Sequence, residues 1–248
     1  MACVQARMGS TRLPRKVLKT IVGMPMLWHI IQRLKRSKLI DKIVIVTSIK
    51  KRDIPILKFA KNNGVDSYAG SEEDLVDRHF QAAKKFKADI LVRITADCPL
   101  VDPEIVDKVI QFFLDGNFDY VSNIIERTYP DGLDVEVFSY SSLEKIWKEA
   151  KTPREREFFT VYMRDHPEIF QIGGIKQGED ISYMQWTVDT EKDLKFAREI
   201  YKRLYKKNKI FYMKDILSLL KKHPELTEIN KGIAREESRL KSLKDLKE

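Results

Sequence analysis

The feature that most constrains the fold of this chain is a regular alternation of short β-branched runs with longer helical patterns. The strand-like runs lie at 42–47, 88–94 and 119–123, and the helical patterns lie at 25–38, 53–63, 72–86 and 103–116. Two parallel strands need a long connection between them, and a helix is the usual one. The alternation therefore predicts an α/β fold with a mainly parallel sheet and helices on both faces.

The regular alternation ends after Asn123. The stretch 127–142, RTYPDGLDVEVFSYSS, has a Pro-Asp-Gly turn followed by alternating apolar and polar residues, which predicts a small antiparallel excursion. The patterns that follow predict helices at 141–150 and 153–165, strands at 170–175 and 183–188, and a helix from about 191 to 207. No Pro- or Ser-rich linker divides the chain. We therefore expect one domain over 1–222, followed by a charged tail, 223–248, that lies loosely on the surface.

The composition indicates an ordinary globular protein. Of the 248 residues 43% are hydrophobic, which is enough for a substantial core. No apolar run approaches the roughly 20 residues that span a bilayer, and the opening residues lack a signal-peptide pattern. We therefore expect no membrane insertion and a cytoplasmic location. Cys3 and Cys98 lack partners at metal-ligand spacing and are predicted to be buried and reduced.

The net charge of +9 raises the question of nucleic-acid binding. Much of the excess lies in Lys-rich segments such as 201–209 and 240–248, where no aromatic residues are arranged for base stacking. A solvated, anion-friendly surface is the simpler interpretation, and no specific nucleic acid is expected as a partner. A basic nucleic-acid-binding module remains a less favoured alternative.

A cationic loop follows the strand-like opening of the chain. The stretch 5–18, QARMGSTRLPRKVL, surrounds Gly9 with arginines and lysines, which cannot all be buried unpaired because each would carry a desolvation cost of about several kcal/mol. Backbone N–H groups of a small-residue turn, together with guanidinium groups, suit a polyphosphate. The loop matches neither the P-loop nor the dinucleotide motif. A solvated basic loop is the alternative.

Two aspartates stand at the ends of predicted strands. Asp97 follows the run 88–94, and Asp189 follows the run 183–188. Ligands of open α/β sheets bind beyond the carboxyl ends of the strands, and carboxylates there suit a divalent cation. The alternatives are that Asp97 caps a turn and that Asp189, with Thr190, caps the next helix. Residue spacing leaves these alternatives open.

Five segments in order make this sequence resemble a known family. The sequence resembles the cytidylyltransferases that activate acidic sugars, the CMP-Kdo and CMP-sialic (or CMP-pseudaminic) acid synthetases, and most closely their spore-coat polysaccharide branch. The segments are 5–18, 69–83, 93–103, 127–138 and 186–194. The resemblance implies a Rossmann-like nucleotidyltransferase fold, also called the nucleotide-diphospho-sugar transferase fold. It also implies Mg²⁺-dependent transfer of CMP from CTP to an acidic sugar or phosphorylated acceptor, with release of pyrophosphate, in surface polysaccharide synthesis.

The resemblance also implies roles for individual residues. The nucleotide would be bound by Ala6, Arg7, Gly9, Ser10, Arg12, Lys16, Ser71, Asp74 and Arg78. The catalytic residues would be Arg12, Lys16 and Asp97, and the Mg²⁺ ligands would be Asp97 and Asp189. The acceptor would meet Asp131, Asp134, Glu136, Arg156 and Tyr162. These lie in the segment 124–165, which in relatives also contributes to a dimer, so a homodimer is expected.

Two positions depart from the family pattern. Arg15 stands where relatives usually have glycine, beside the proposed triphosphate, and Phe158 stands where relatives often have histidine. The four histidines show no pairing pattern, and none is given a catalytic role. A glycosyltransferase that uses a finished nucleotide sugar is the main alternative enzyme class, although such an enzyme would not need so many cations for a free triphosphate.

Overall fold

Seven strands form one central sheet in the computed structural model, which describes residues 1–232. In chain order the strands are β1 (Ala2–Gln5), β2 (Thr20–Ile21), β3 (Met24–Pro25), β4 (Ile43–Ser48), β5 (Asp66–Gly70), β6 (Ile90–Thr95), β7 (Tyr120–Ser122), β8 (Glu136–Ser139) and β9 (Ile172–Gly174). The sheet has the order β5-β4-β1-β6-β8-β7-β9, while β2 and β3 form a separate two-stranded ribbon. All neighbours in the large sheet pair in parallel except β8, which is antiparallel to β6 and β7. The predicted fold class is confirmed.

Nine α-helices lie within residues 1–232. They are α1 (Met26–Leu34), α2 (Ile54–Asn62), α3 (Leu75–Phe86), α4 (Pro103–Asp115), α5 (Tyr140–Glu149), α6 (Pro153–Glu157), α7 (Phe159–Asp165), α8 (Glu191–Leu204) and α9 (Met213–Lys222). Their starts follow from the sequence, as at α4, where the Asp102 side chain caps the Glu104 N–H and Pro103 takes the first helical position. Over residues 1–232, none of these helices combines the length and apolarity required to cross a bilayer.

The sheet separates two hydrophobic clusters. Successive side chains of β1 point to opposite faces, so Ala2 and Val4 join one cluster and Cys3 joins the other. The first cluster packs under α1, α2, α4, α8 and α9, and the second packs under α3, α5 and α7. Both cysteines are buried free thiols, as predicted. Helices therefore cover both faces, as the strand and helix alternation indicated.

Three local predictions need correction. The run 183–188 is not a strand, because it runs alongside the turn after Pro130 and pairs with it only through the isolated parallel bridge between Asp131 and Gln185. The predicted helix 153–165 is two helices, α6 and α7, which meet at Phe158 with φ −108° and ψ 45°. The alternating run LDVEVF forms β8, which is antiparallel as predicted but lies inside the central sheet between β6 and β7.

The start of the predicted loose tail is packed instead. A 3₁₀ helix spans Pro224–Ile229, and Leu226 within it is buried against α8 and α9. The Asn230 amide donates hydrogen bonds to the Gln185 carbonyl at 2.8 Å and to Asp193 at 3.0 Å. The charge pattern did not predict this packing, because the side chains that make the contacts, Leu226 and Asn230, are uncharged. The rest of the tail, 233–248, lies outside the described residues.

Candidate active site

The carboxyl ends of β1 and β6 bring two of the predicted segments side by side. The two strands pair in parallel with Gln5 opposite Thr95, so the loops that follow them leave the same edge of the sheet. The chain runs from β1 to β4 on one side and later returns to β6 on the other side of β1. At such a reversal of strand order, ligands of open α/β sheets usually bind in the crevice beyond the carboxyl ends of the strands.

The cationic loop is held in one shape by buried anchors. Met8, Leu13 and Val17 are buried, and the Ser10 hydroxyl accepts a hydrogen bond from the Leu13 N–H at 3.3 Å. The Met8 N–H donates to the carboxylate of Asp53, which lies 2.7 Å away and is itself fully buried. Arg7 and Arg12 remain exposed between these anchors. The loop thus presents its cations toward the crevice while its apolar residues fasten it to the core.

Lys16 joins the loop to both Asp97 and Asp189. Its Nζ lies 2.8 Å from Oδ2 of Asp97 and 2.8 Å from Oδ1 of Asp189, and it also donates to the Val188 carbonyl at 3.1 Å. Arg12 reaches the other oxygen of Asp189, with Nη2 to Oδ2 at 2.9 Å. Residues from three distant parts of the chain therefore meet at one point, and they are residues that the family resemblance assigns to one site.

Electrostatics hold these groups in their charged forms. Burial by itself would lower the pKa of Lys16 and raise that of Asp97, but the opposite charges reverse both effects. Asp97 and Asp189 raise the pKa of the Lys16 ammonium above its ordinary value. Lys16, by charge and hydrogen bond, lowers the pKa of Asp97 from 3.8 to about 2. At neutral pH the Lys16 ammonium therefore lies beside the ionised carboxylate of Asp97.

Asp189 is available to Lys16 because another residue caps α8. The Thr190 side chain accepts from the Asp193 N–H, and Asp193 accepts from the Thr190 N–H, which forms a reciprocal capping box. The Val188 N–H donates to the Asp97 carbonyl at 2.8 Å and ties the two aspartate segments together. The alternative in which Asp189 caps the helix is therefore wrong. Thr190 is the cap, and the Asp189 carboxylate faces the crevice.

The predicted acceptor residues Asp131 and Asp134 lie in the neighbourhood of Cys98, the residue that follows Asp97. Burial raises the pKa of the Cys98 thiol well above its usual value, and the nearby carboxylates of Asp97, Asp134 and Asp131 add to the effect. Asp134 also pairs with Arg127 at 3.2 Å. The turn that carries Asp131 includes Gly132 at φ +104°, where an added Cβ would lie 2.6 Å from the Thr187 backbone. That close approach brings the 131–134 turn against the segment that ends in Asp189.

A second group of predicted residues gathers at the start of α3. The Arg78 guanidinium donates to the carbonyls of Ser71 at 2.5 Å and Glu72 at 2.7 Å, and burial lowers its pKa to about 10. Asp74 caps α3 and pairs with Arg156 at 2.6 Å. These contacts shape the 71–78 segment from inside. Arg156 therefore joins the predicted nucleotide segment to α6 rather than standing apart from it.

Glu136 and Tyr162 lie elsewhere. Glu136 is buried in β8, where it forms an ion pair with Arg93 and accepts a hydrogen bond from the Tyr120 hydroxyl at 2.8 Å. The Tyr162 ring stacks on His166 with ring centroids 4.1 Å apart and packs against the second hydrophobic cluster. The placement of Glu136 differs from the expected acceptor contact, because its carboxylate is already committed to a buried cation.

Two residues near the loop were missed by sequence reasoning. In the sequence, Asp53 is only the first residue of a helical pattern. In the structure, its carboxylate accepts hydrogen bonds from the Met8 N–H and from the Ser48 hydroxyl. The Arg52 guanidinium lies over Gly9, where an added Cβ would come within 3.1 Å of Nε. Arg52 also pairs with Glu72. The sequence signal that could have revealed them is the strand end at Ser48, which directs the following turn toward the same crevice.

Arg15 adopts a backbone conformation that favours glycine. Its φ of 59° and ψ of 24° lie in the left-handed helical region, which costs a non-glycine residue about 1–2 kcal/mol. Its side chain is exposed. Other residues than glycine can adopt this region, so the substitution is accommodated at a cost in stability.

Arg15→Gly should therefore raise the free energy of unfolding by about 0.5 kcal/mol. The relief of the left-handed strain exceeds the extra backbone entropy that glycine loses on folding. Urea unfolding followed by circular dichroism measures the difference. Arg15→Ala is the matched control, because it removes the same charge but keeps the Cβ and hence the strain. An equal gain for both variants would contradict this backbone explanation.

The donor set at the crevice fits a divalent cation. Two carboxylates from different segments converge on one ammonium nitrogen, so they can also converge on one metal ion. Oxygen ligands of this kind suit Mg²⁺, which is usually held by one or two carboxylates together with phosphate oxygens. Across residues 1–232, no cluster of three or more His, Cys, Asp or Glu forms an all-protein metal cage. The pair therefore suits a metal whose other ligands come from substrate and water.

Comparison with known proteins finds a matching family, similar sequences and a similar solved structure. A family model described as cytidylyltransferase matches residues 1–244. The chain is 30% identical over 229 residues to the spore coat polysaccharide biosynthesis protein SpsF of Bacillus subtilis, a match that covers 90% of this chain and 94% of that protein. It is 37% identical over 114 residues to a 3-deoxy-manno-octulosonate cytidylyltransferase of Nitratiruptor sp., covering 44% of this chain and 45% of that protein. The solved structure of a cytidylyltransferase from Leptospira borgpetersenii is similar with a TM-score of 0.88 and 33% identity, covering 94% and 98% of the two chains.

Proposed function

This chain belongs to the cytidylyltransferase family and is a nucleotidyltransferase, and from that premise we propose that it transfers CMP from CTP to an acidic sugar or phosphorylated acceptor. The second product would be pyrophosphate, and the pathway would be the synthesis of a surface polysaccharide. The observation that carries the proposal is the meeting of Lys16 with Asp97 and Asp189 beside the cationic loop. Such a meeting suits a triphosphate and its metal better than a neutral ligand.

In this proposal the cationic loop binds the triphosphate. Arg7, Arg12 and Lys16 supply positive charge, and the small-residue turn from Gly9 supplies backbone N–H groups. Each charge-assisted hydrogen bond of this kind contributes about 1.5–3 kcal/mol. Anchoring by Asp53 keeps the loop in place before the nucleotide arrives, so little ordering is needed on binding. The segment 71–78, shaped by Arg78, would cover the base and ribose.

Asp97 and Asp189 would hold Mg²⁺. When bound, the ion would polarise the α-phosphate and lower the pKa of the acceptor hydroxyl. The protein itself positions the two carboxylates. Asp97 is positioned by its backbone contact with Val188, and Asp189 is positioned because Thr190 and Asp193 cap the helix behind it.

The transfer requires the acceptor oxygen, the α-phosphorus and the leaving oxygen to lie roughly in line. The bond from the acceptor oxygen to the α-phosphorus forms as the bond to the pyrophosphate oxygen breaks. Arg12 and Lys16 would neutralise the charge that develops on pyrophosphate, since both side chains extend from the triphosphate loop. The acceptor would enter from the turn of Asp131 and Asp134, which packs against the segment that ends in Asp189.

Other parts of the acceptor hypothesis stay predictions. Arg156 and Tyr162 would act from the segment 124–165, with Arg156 acting through its pair with Asp74. Glu136 is omitted from the proposed acceptor contacts because of its buried pair with Arg93. A homodimer built on the same segment is also proposed, by analogy with relatives and because two-fold dimers are the commonest assemblies.

The function is tested by incubating the purified protein with CTP, Mg²⁺ and a panel of sugar acids and sugar phosphates. We expect pyrophosphate release that depends on at least one acceptor and is stronger with CTP than with the other nucleoside triphosphates. Release with none of the acceptors would contradict the proposal. Calorimetry addresses the glycosyltransferase alternative, because tighter binding of finished nucleotide sugars than of CTP would favour that class.

A further inference from the structure

We infer that Lys16 is the counter-ion of the two proposed metal ligands and must leave them before a divalent cation can bind, so that metal binding depends on the triphosphate. The inference rests on the proposed function and concerns the order of events at that site. It starts from the three acceptors of Lys16, which are Asp97, Asp189 and the Val188 carbonyl, at 2.8, 2.8 and 3.1 Å. A lysine ammonium has three N–H donors, so all of them are used.

The position of the ammonium is the position that a shared metal ion would need. A cation that binds Oδ2 of Asp97 and Oδ1 of Asp189 would take the place that the ammonium of Lys16 now occupies, and the other oxygen of Asp189 is held by Arg12. An ammonium group and a divalent ion at neighbouring positions repel each other. Because the side chain of Lys16 is only 12% exposed, water screens this repulsion weakly. A free divalent ion must therefore displace Lys16 and break three charge-assisted contacts.

A triphosphate on the loop offers Lys16 another partner. Lys16 begins a short 3₁₀ helix, Lys16–Leu18, whose backbone is anchored by buried Val17. The lysine stem can rotate while that backbone stays in place, and the triphosphate is proposed to lie on the Gly9–Arg12 side of the same loop. Phosphate oxygens would then accept the hydrogen bonds that Lys16 no longer donates to the aspartates. The two carboxylates become available when the anion that carries the other metal ligands is present.

This exchange makes the binding of metal and the binding of triphosphate mutually dependent. By linkage, each ligand must increase the affinity for the other by the same factor. It follows that removing the ammonium should weaken this dependence, because Asp97 then loses its lysine partner, Asp189 keeps only Arg12, and the two carboxylates can accept a metal without the nucleotide. A merely structural Lys16 would show no such gain of metal affinity.

The test uses Mn²⁺ as the probe, measured by electron paramagnetic resonance on the full-length, nucleotide-free protein. Lys16→Met should bind Mn²⁺ at least about tenfold more tightly than the wild type, because the ion no longer has to displace an ammonium group. Adding Asp97→Asn to Lys16→Met should remove the gain. Lys19→Met is the matched control, since Lys19 lies three residues away and pairs with exposed Glu191, and it should leave Mn²⁺ affinity unchanged.

Thermal unfolding provides a second measurement that does not depend on activity. Lys16→Met should melt at a lower temperature in EDTA and regain stability with Mn²⁺ by a larger shift than the wild type, because the metal stabilises the folded state by mass action. A variant that folds only with Mn²⁺ would support the inference equally.

The inference is overturned if Lys16→Met and the wild type bind Mn²⁺ with equal affinity. It is also overturned if the nucleotide-free wild type binds one Mn²⁺ tightly at a site that Asp97→Asn abolishes, a result that needs no Lys16 variant to fold. Neither measurement uses CTP turnover, so failure of the proposed function and failure of this inference give different results.

Discussion

Asp97→Asn should lower the rate of CTP-dependent pyrophosphate release by about a hundredfold to a thousandfold. The change removes one of the two proposed Mg²⁺ ligands, and a bound metal contributes about several kcal/mol of charge stabilisation in the transition state. Asparagine has nearly the same size as aspartate, and Asp189 continues to pair with Lys16 at 2.8 Å. The fold should therefore survive the change. The rate is measured at saturating CTP with the best acceptor from the panel.

Asp66→Asn is the control for the Asp97 experiment. Asp66 begins β5 at the far edge of the sheet, where it makes an exposed pair with Lys42, and its change should leave the rate unaltered. Circular dichroism would verify that both variants are folded. A folded Asp97→Asn enzyme that retains the wild-type rate would remove Asp97 from the catalytic residues and with it the proposed metal site.

Glu136→Gln should lower the free energy of unfolding by about 3 kcal/mol. Burial opposes ionisation of this carboxylate, but Arg93 and Arg164 outweigh it and lower its pKa. Glu136 is therefore ionised beside Arg93, and neutralising it leaves the buried guanidinium without an opposite charge, which typically costs about 3–5 kcal/mol. Because Arg93 also donates to Gln5 at 3.0 Å, the loss should loosen the pairing of β1, β6 and β8. Urea unfolding measures the change.

Two further variants distinguish a structural Glu136 from an acceptor-binding one. Asp134→Asn, two residues away, breaks a partly exposed pair with Arg127 and should cost less than about 1 kcal/mol. Replacing both partners, as Arg93→Met with Glu136→Leu, should cost less than the single change, since no buried charge is left alone. If Glu136→Gln keeps full stability but loses use of the acceptor, the original prediction from family resemblance would be restored.

The strand and helix pattern was a reliable guide to the fold where hydrophobic periodicity was strong. The pattern in 103–116 led directly to α4, and the alternation in LDVEVF led to an antiparallel strand. It failed at 183–188, where Trp186 and Val188 are buried in a segment that runs beside the 130–133 turn rather than pairing in the sheet. Burial alone does not reveal whether an apolar run is a strand or a covered loop.

At the site, too, some residues could be predicted from the sequence and others could not. Family resemblance, now confirmed by the cytidylyltransferase match, identified Arg12, Lys16, Asp97 and Asp189 as one group, and the structure brings these four together. It could not distinguish Glu136, which faces the buried Arg93, from Asp134 on the same segment. Side-chain direction depends on pairing register, and a register between distant strands leaves little mark on either strand alone.

The sequence by itself determined the α/β class, the cationic character of the first loop and the position of Asp97 after a strand, because these follow from local periodicity and residue chemistry. Only the tertiary structure decided that Thr190 rather than Asp189 caps α8, and that Lys16 lies between the two aspartates. The physical reason is that hydrogen bonds across more than eighty residues depend on how the strands are ordered in the sheet. No local pattern contains that order, and the Lys16 ion pairs exist only once β1 and β6 are side by side.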